Sequence, residues 1–414
     1  MAFSNIMDSN SYQGGRQDDP LIAARDRMLG PAYRLFYERP VHLVRGQGTL
    51  LYDADGRDYL DAYNNVASVG HCHPHVVDAV TRQLGLLNTH TRYLHDGIVD
   101  YSARLLATFP GEIDQVMYAC TGSEVNDLAL RVAQTYTGAT GVIITNDAYH
   151  GNTAAVTAIS PSIGGAAVVG PHVRTVDPDL SGVDAAIADL RSCGLGVSAL
   201  IVDTIFSSDG IYPDPTVLGP AVAAVRAAGG VFIADEVQPG FGRTGEAMWG
   251  FERHGVVPDL VTTGKPMANG LPVAAMAARS AVLDEFARGI PYFNTFGGNP
   301  VSMAAAAAVL DVIEDEKLVA NALEVGSALR SELTRLAAGS EVVVEVRGAG
   351  LYIGVEVDDR DTARHLVNAM RERRVLISVC GAHGNVLKIR PPLVFSMADV
   401  DRLCGEFAAV LAEG

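Results

Sequence analysis

The sequence predicts an α/β fold: a large domain on a mostly parallel central sheet flanked by helices, with a small α+β domain beside it. Three observations predict it. From about residue 97 to 310, short apolar runs at 116–119, 141–145, 199–203, 231–234 and 260–262 alternate with helix-periodic segments, and buried strands separated by helices pair in parallel. The 414 residues suffice to bury a large core and to divide into two lobes. Towards the C-terminus the pattern turns to paired strands and amphipathic helices, which marks a separate α+β unit.

Taken in order, residues 1 to about 20 are polar and rich in Gly, Ser, Asn and Asp, and are expected to fray or to wrap a partner. Residues 48–61 alternate apolar and polar side chains about Asp55-Gly56, which predicts a hairpin. The strand–helix alternation follows, then an alanine-rich helix from about 300 to 315. Residues 341–357 read as two strands about a glycine-rich bend, followed by a helix near 360–373, a strand near 375–379 and a last helix near 397–412. The expected boundaries are 1–60 for an N-terminal segment joining the small domain, 61–315 for the large ligand-binding domain and 316–414 for the small domain.

Hydrophobic content of 48% and charged content of 19% describe an ordinary globular protein. No apolar run reaches the roughly 18 residues that span a bilayer, and the polar N-terminus has no signal-peptide pattern. Cys72, Cys120, Cys193, Cys380 and Cys404 are scattered without paired spacing, which points to reduced thiols and a cytoplasmic protein. The net charge of −17 argues against nucleic-acid binding. A small anionic substrate remains compatible with it, because charges are screened over about 8 Å at physiological salt.

Ligands of such sheets collect beyond the strands' C-terminal ends. There the chain places Asp235, closing the 231–234 run, and Lys265, in a loop bounded by Gly264, Pro266 and Gly270. A lysine that condenses with an aldehyde, and an acid that keeps a pyridine nitrogen protonated, are what pyridoxal 5'-phosphate requires. Thr121-Gly122-Ser123 joins a strand to a helix; it offers N–H groups and hydroxyls to a phosphate, or Ser123 simply caps the helix. Tyr149 suits stacking on a conjugated ring, with Gly151 admitting close approach, although a core tyrosine with a polar tip satisfies the same pattern. Thr295, just before Gly297 and Gly298, is a second phosphate-binding candidate. His71-Cys72-His73-Pro74-His75 matches no common zinc spacing and has no acidic ligand run, so no metal is expected and the loop is placed near the cofactor or a subunit interface.

Together, Gly122-Ser-Glu-Val-Asn-Asp, Tyr149-His-Gly, Asp235-Glu-Val-Gln and Gly264-Lys265 resemble the motifs of class III pyridoxal-phosphate-dependent aminotransferases, over roughly residues 30 to 412. The resemblance implies fold type I, with Lys265 as the Schiff-base lysine, Asp235 at the pyridine nitrogen, Tyr149 over the ring and Val237 on its other face. It implies Gly122 and Ser123 on the phosphate, Gln238 beside the cofactor hydroxyl, and Thr295 supplied by the neighbouring subunit of a homodimer with shared active sites. The apolar 64–70 stretch is expected at that interface.

The segments 64–74, 263–270, 293–300 and 385–393 resemble, more particularly, the branch containing ethanolamine-phosphate phospho-lyase and phosphohydroxylysine phospho-lyase. Two positions depart from the aminotransferase pattern. Lys388, two residues before Arg390, stands where many class III aminotransferases bind a carboxylate with arginine, and lysine is a point charge rather than a bidentate fork. Asp203-Thr204 stands where the family commonly has a Glu-Pro pair that can oppose that arginine. The expected activity is elimination of phosphate from a small phosphorylated amine such as O-phosphoethanolamine, giving acetaldehyde, ammonia and phosphate, with Lys388 and Arg390 binding the substrate. The alternatives are amino transfer from an amine or amino acid to a keto acid, and a Lys388 that packs on the final strand with its tip in solvent.

Overall fold

The computed structural model describes residues 19–30, 32–164 and 169–413. The expectation for the polar N-terminal segment thus lies almost wholly outside the described residues; Asp19 caps a helix, Pro20–Leu29, by accepting from the Leu21 and Ile22 N–H groups.

Seven strands form the central sheet, in the spatial order Gln115–Ala119, Ala274–Ala278, Leu260–Thr263, Val231–Asp235, Ala199–Asp203, Val142–Thr145 and Val173–Val176. The neighbours from Leu260–Thr263 to Val173–Val176 pair in parallel. Ala274–Ala278 runs antiparallel to both of its neighbours. Val231–Asp235 and Leu260–Thr263 are buried at every position, as central strands covered on both faces must be. Each fully buried Val, Ile or Phe there contributes about 1.5–3 kcal/mol of burial.

The helix Gly122–Thr137 shows how local chemistry aims this sheet at a ligand. Thr121 caps it, its hydroxyl accepting from the Glu124 N–H, while Glu124 reaches back to the Cys120 N–H at 3.0 Å. Gly138, at φ 64°, ends it in the left-handed region. The alanine-rich helix occupies Pro300–Asp315 with Pro300 at its first turn and Asn299 as its cap. A twenty-residue helix, Leu318–Ala337, follows and buries Leu318, Ala322, Val325, Leu329 and Leu333 on one face.

Two smaller antiparallel-rich sheets complete the chain. Val343–Ala349, Tyr352–Val357, Val386–Ile389 and Ser378–Cys380 pair antiparallel in that order. The hairpin strands Leu50–Asp53 and Asp58–Asp61 pair about Asp55-Gly56, and the second adds Val375–Leu376 in parallel, tying the N-terminal part to the C-terminal part. Met397–Glu413 is the last helix.

Candidate active site

A cavity of about 260 Å³ opens beyond the C-terminal ends of the central strands, and Gly122, Ser123, Tyr149, Asp235, Val237, Gln238 and Lys265 all line it. Four segments far apart in sequence thus converge where the topology puts a ligand.

Asp235 ends its strand almost fully buried. Its Oδ2 accepts from His150 Nδ1 at 2.7 Å and from Asn126 Nδ2 at 3.0 Å, and its Oδ1 from the Val237 N–H at 3.1 Å. Thr262 in turn donates to Asn126 Oδ1 at 2.6 Å, and the Asn126 amide also reaches the His150 carbonyl. The acid is therefore locked by a fully buried network, the arrangement a fixed partner for a ring nitrogen needs. Asn126 and His150 were not singled out by sequence reasoning. The signal for Asn126 was its spacing, one helical turn after Gly122 and on the same face.

Lys265 opens a short 3-10 turn after Leu260–Thr263. Its loop is clamped from outside: Ser68 donates to the Pro266 carbonyl, and Asn269 bonds both the Val69 N–H and the Gly70 carbonyl. Within the chain the 64–70 stretch packs against this loop, with Asn65, Ser68 and Val69 buried. Burial and the charge of Arg390 push the Lys265 ammonium down to about 8, Lys388 adding to this and Asp235 and Asp203 opposing it.

At the other end of the cavity, the Gly122 and Ser123 N–H groups have no acceptor among the described residues, because Thr121 caps only the next one. Ser123 is not the cap; its hydroxyl donates to Asn152 Oδ1 and accepts from the Asn152 N–H. Gly151 lies so close that an added Cβ would fall 2.3 Å from Ser123 Oγ, at a φ of 139°. Free amides at a helix start with glycine-tight walls fit a phosphate. Gln238 Oε1 accepts from Asn65 at 2.8 Å and from Arg390 at 2.6 Å, which leaves its amide nitrogen to face a ligand. Tyr149 and Val237 are the apolar walls. Thr295 lies on an exposed loop and lines no part of this cavity.

Lys265 also borders a second cavity of about 460 Å³, roofed by residues near Phe36 and walled by Tyr63, Asn65 and Arg390. Arg390 packs over the Tyr63 ring at 4.4 Å and donates to Asn65 at 2.9 Å, while its buried Nε has no partner. Lys388 is 5% exposed and sits 5.9 Å from the Tyr352 ring, so its tip is not in solvent. It has no hydrogen-bond acceptor among the described residues, and the buried Tyr352 hydroxyl is likewise unpartnered. Asp203 does not oppose it. Asp203 stands beside Asp235 in register on the neighbouring strand, its oxygens taken by the Ile205 and Ser207 N–H groups. Burial, then the Asp235 charge, raises its carboxyl above the ordinary range.

The histidine loop binds acids singly: His71 to Asp61 at 2.6 Å, His73 to Glu316 at 3.0 Å and His75 to Asp311 at 2.7 Å. No cluster of three metal-ligating side chains occurs among the described residues.

The fold, with a buried lysine and a locked acid beyond its central strands, is that of a pyridoxal-phosphate enzyme of fold type I. The chain belongs to the class III aminotransferase family, which matches residues 36–411. An alanine–glyoxylate aminotransferase 2-like protein of Drosophila melanogaster is 40% identical over 417 residues, 92% of this chain and 84% of that protein. Ethanolamine-phosphate phospho-lyase homolog 1 of Caenorhabditis elegans is 34% identical over 424 residues, 92% of this chain and 91% of that protein. A solved phospholyase from Arthrobacter, in complex with phosphoethanolamine, superposes with a TM-score of 0.93 at 44% identity, covering 95% of this chain and all of that one. The cofactor is pyridoxal phosphate and the chain is an enzyme.

Proposed function

We propose that the enzyme eliminates phosphate from a small phosphorylated amine of the phosphoethanolamine type. The observation that carries this reading is the buried cation Arg390 on the wall of a cavity that Lys265 shares, with a second buried cation, Lys388, two residues before it and beside the unpartnered Tyr352 hydroxyl. Buried cations without a carboxylate partner are costly and are retained where an anion arrives. A dianion suits two separate cations, whereas a carboxylate suits one arginine fork. The likeness to a phospholyase solved with phosphoethanolamine supports the same reading.

When bound, pyridoxal phosphate supplies the electron sink for the substrate's α-carbon. Asp235 would hold the ring nitrogen's proton. Gly122 and Ser123 would hold the cofactor phosphate, Tyr149 and Val237 would wall the ring, and Gln238 would donate to its hydroxyl. Lys265, with its amine free, would take the substrate's α-proton as general base. Lys388 and Arg390 draw the substrate phosphate to the far side, aligning its C–O bond for departure.

Amino transfer to a keto acid is the second reading, favoured by the 40% identity to an aminotransferase-named relative. An assay of phosphate released from phosphoethanolamine without any keto acid tests the first against it. Lys388→Ala is expected to lower kcat/KM for phosphoethanolamine by about 1.5–3 kcal/mol, roughly tenfold to a hundredfold, and to leave the cofactor spectrum unchanged. Arg390→Ala disturbs Gln238 as well, so its spectrum shifts. Undiminished kcat/KM in Lys388→Ala would contradict the anion site.

The proposal includes a homodimer that lends Thr295 to the partner's cofactor. Leu86, Leu94 and Phe296 stand 80%, 104% and 69% exposed in the single chain, and Arg92 over the Phe293 ring at 4.1 Å ties their two loops together. Apolar surface of this kind marks an interface. Sedimentation is expected to give a dimer, and a fully active monomer at assay concentration would rule out the shared site. Cytoplasmic residence is also proposed, on five cysteines without disulfides; no described helix is long and apolar enough to cross a membrane.

A further inference from the structure

We propose that Tyr63 is the proton donor to the departing phosphate, an inference that rests on the phospho-lyase reading. The need for a donor is chemical. Above a second pKa of about 6 the phosphate ester is a dianion, and breaking its C–O bond with the electron pair on oxygen leaves a trianion, a far stronger base. A proton delivered as the bond breaks turns that leaving group into hydrogenphosphate.

Tyr63 is placed for this. It walls the same cavity as Lys265 and Arg390. The Arg390 guanidinium lies 4.4 Å over its ring, and Phe36 packs edge-on at 5.6 Å, so the ring is held on two sides. The Arg390 and Lys388 charges both act on its hydroxyl. Asp61 lines the cavity too, but its oxygens are taken by His71 and by the Tyr63 and Asn64 N–H groups. Burial works to raise the phenol; Arg390 and Lys388 overcome it and hold the group below its ordinary range. Neither α-proton abstraction nor cofactor binding uses this hydroxyl.

The step balances. Lys265 takes the α-proton, the β-carbon–oxygen bond breaks with its electron pair on the phosphate oxygen, and the Tyr63 O–H proton moves to that oxygen. The phenolate, held between two cations, is reprotonated through solvent at the expense of the Lys265 ammonium, so both groups return to their starting states.

The test compares two esters. Sulfate is a weak base that leaves without a proton. Tyr63→Phe is expected to lower kcat for phosphoethanolamine roughly a hundredfold or more, with KM within about twofold, and to spare elimination from ethanolamine O-sulfate. In the cofactor-free protein, one tyrosine ionising below the usual value near 10 is expected by tyrosinate absorbance and is absent from Tyr63→Phe. Fluorotyrosine at position 63, which keeps the ring and acidifies the hydroxyl, is expected to move the basic limb of the kcat profile to lower pH. Equal losses on both esters, no loss on phosphoethanolamine, or an unmoved basic limb would overturn the donor while leaving the phospho-lyase reading intact. A wild-type enzyme that releases no phosphate would overturn that reading itself.

Discussion

Lys265→Ala loses turnover by more than about 10⁴-fold, the upper end of what one positioned proton-transfer group supplies, because the variant loses covalent attachment and general base together. Borohydride reduction is expected to fix pyridoxal phosphate to the wild-type chain and not to the variant. The charge state of the amine adds a pH signature. Burial and Arg390 hold Lys265 at about 8, and only its neutral form attacks an aldehyde. Cofactor uptake by the cofactor-free wild type therefore accelerates as pH rises through about 8 and levels off above it. A variant that still yields a borohydride-fixed cofactor would remove Lys265 from its role.

Asp235→Asn is the second large effect. The amide keeps the shape but removes the negative charge facing the ring nitrogen. It also turns an acceptor of three hydrogen bonds into a group whose amide nitrogen confronts donors from His150, Asn126 or the Val237 N–H. Loss of one charge-assisted bond costs about 1.5–3 kcal/mol, so kcat falls at least about tenfold, and the unsatisfied network adds to it. Cofactor content by absorbance is expected to stay near stoichiometric, since the Gly122–Ser123 cradle and Lys265 are intact. Wild-type kcat in a variant with full cofactor would contradict the role of the acid.

The strands that carry these residues were legible because their chemistry is local. Val231–Asp235 is a short apolar run ending in an acid, and Leu260–Thr263 another ending at Gly264-Lys265. Ala274–Ala278 was not legible, since five residues of Ala and Met lack the β-branched side chains that mark a strand. It is a strand because its partners on both sides impose the ladder. Among site residues, Lys265 and Asp235 announced themselves by type and position. Asn126, His150 and Tyr63 did not, because each acts on a group 85 residues or more away in sequence, and only the packed fold brings them together. Asp203 was legible only as a departure from the pair that opposes the family's arginine; its strand register, which sets it beside Asp235, needed the packed sheet.

The central claim is that nitrogen and phosphate leave together. It is tested by supplying ¹⁵N-phosphoethanolamine with excess pyruvate and following both products over many turnovers. Elimination predicts one ammonium and one phosphate per substrate consumed, at a rate independent of pyruvate and with no labelled alanine. Labelled alanine accumulating with no phosphate released, at a rate that requires pyruvate, would contradict it.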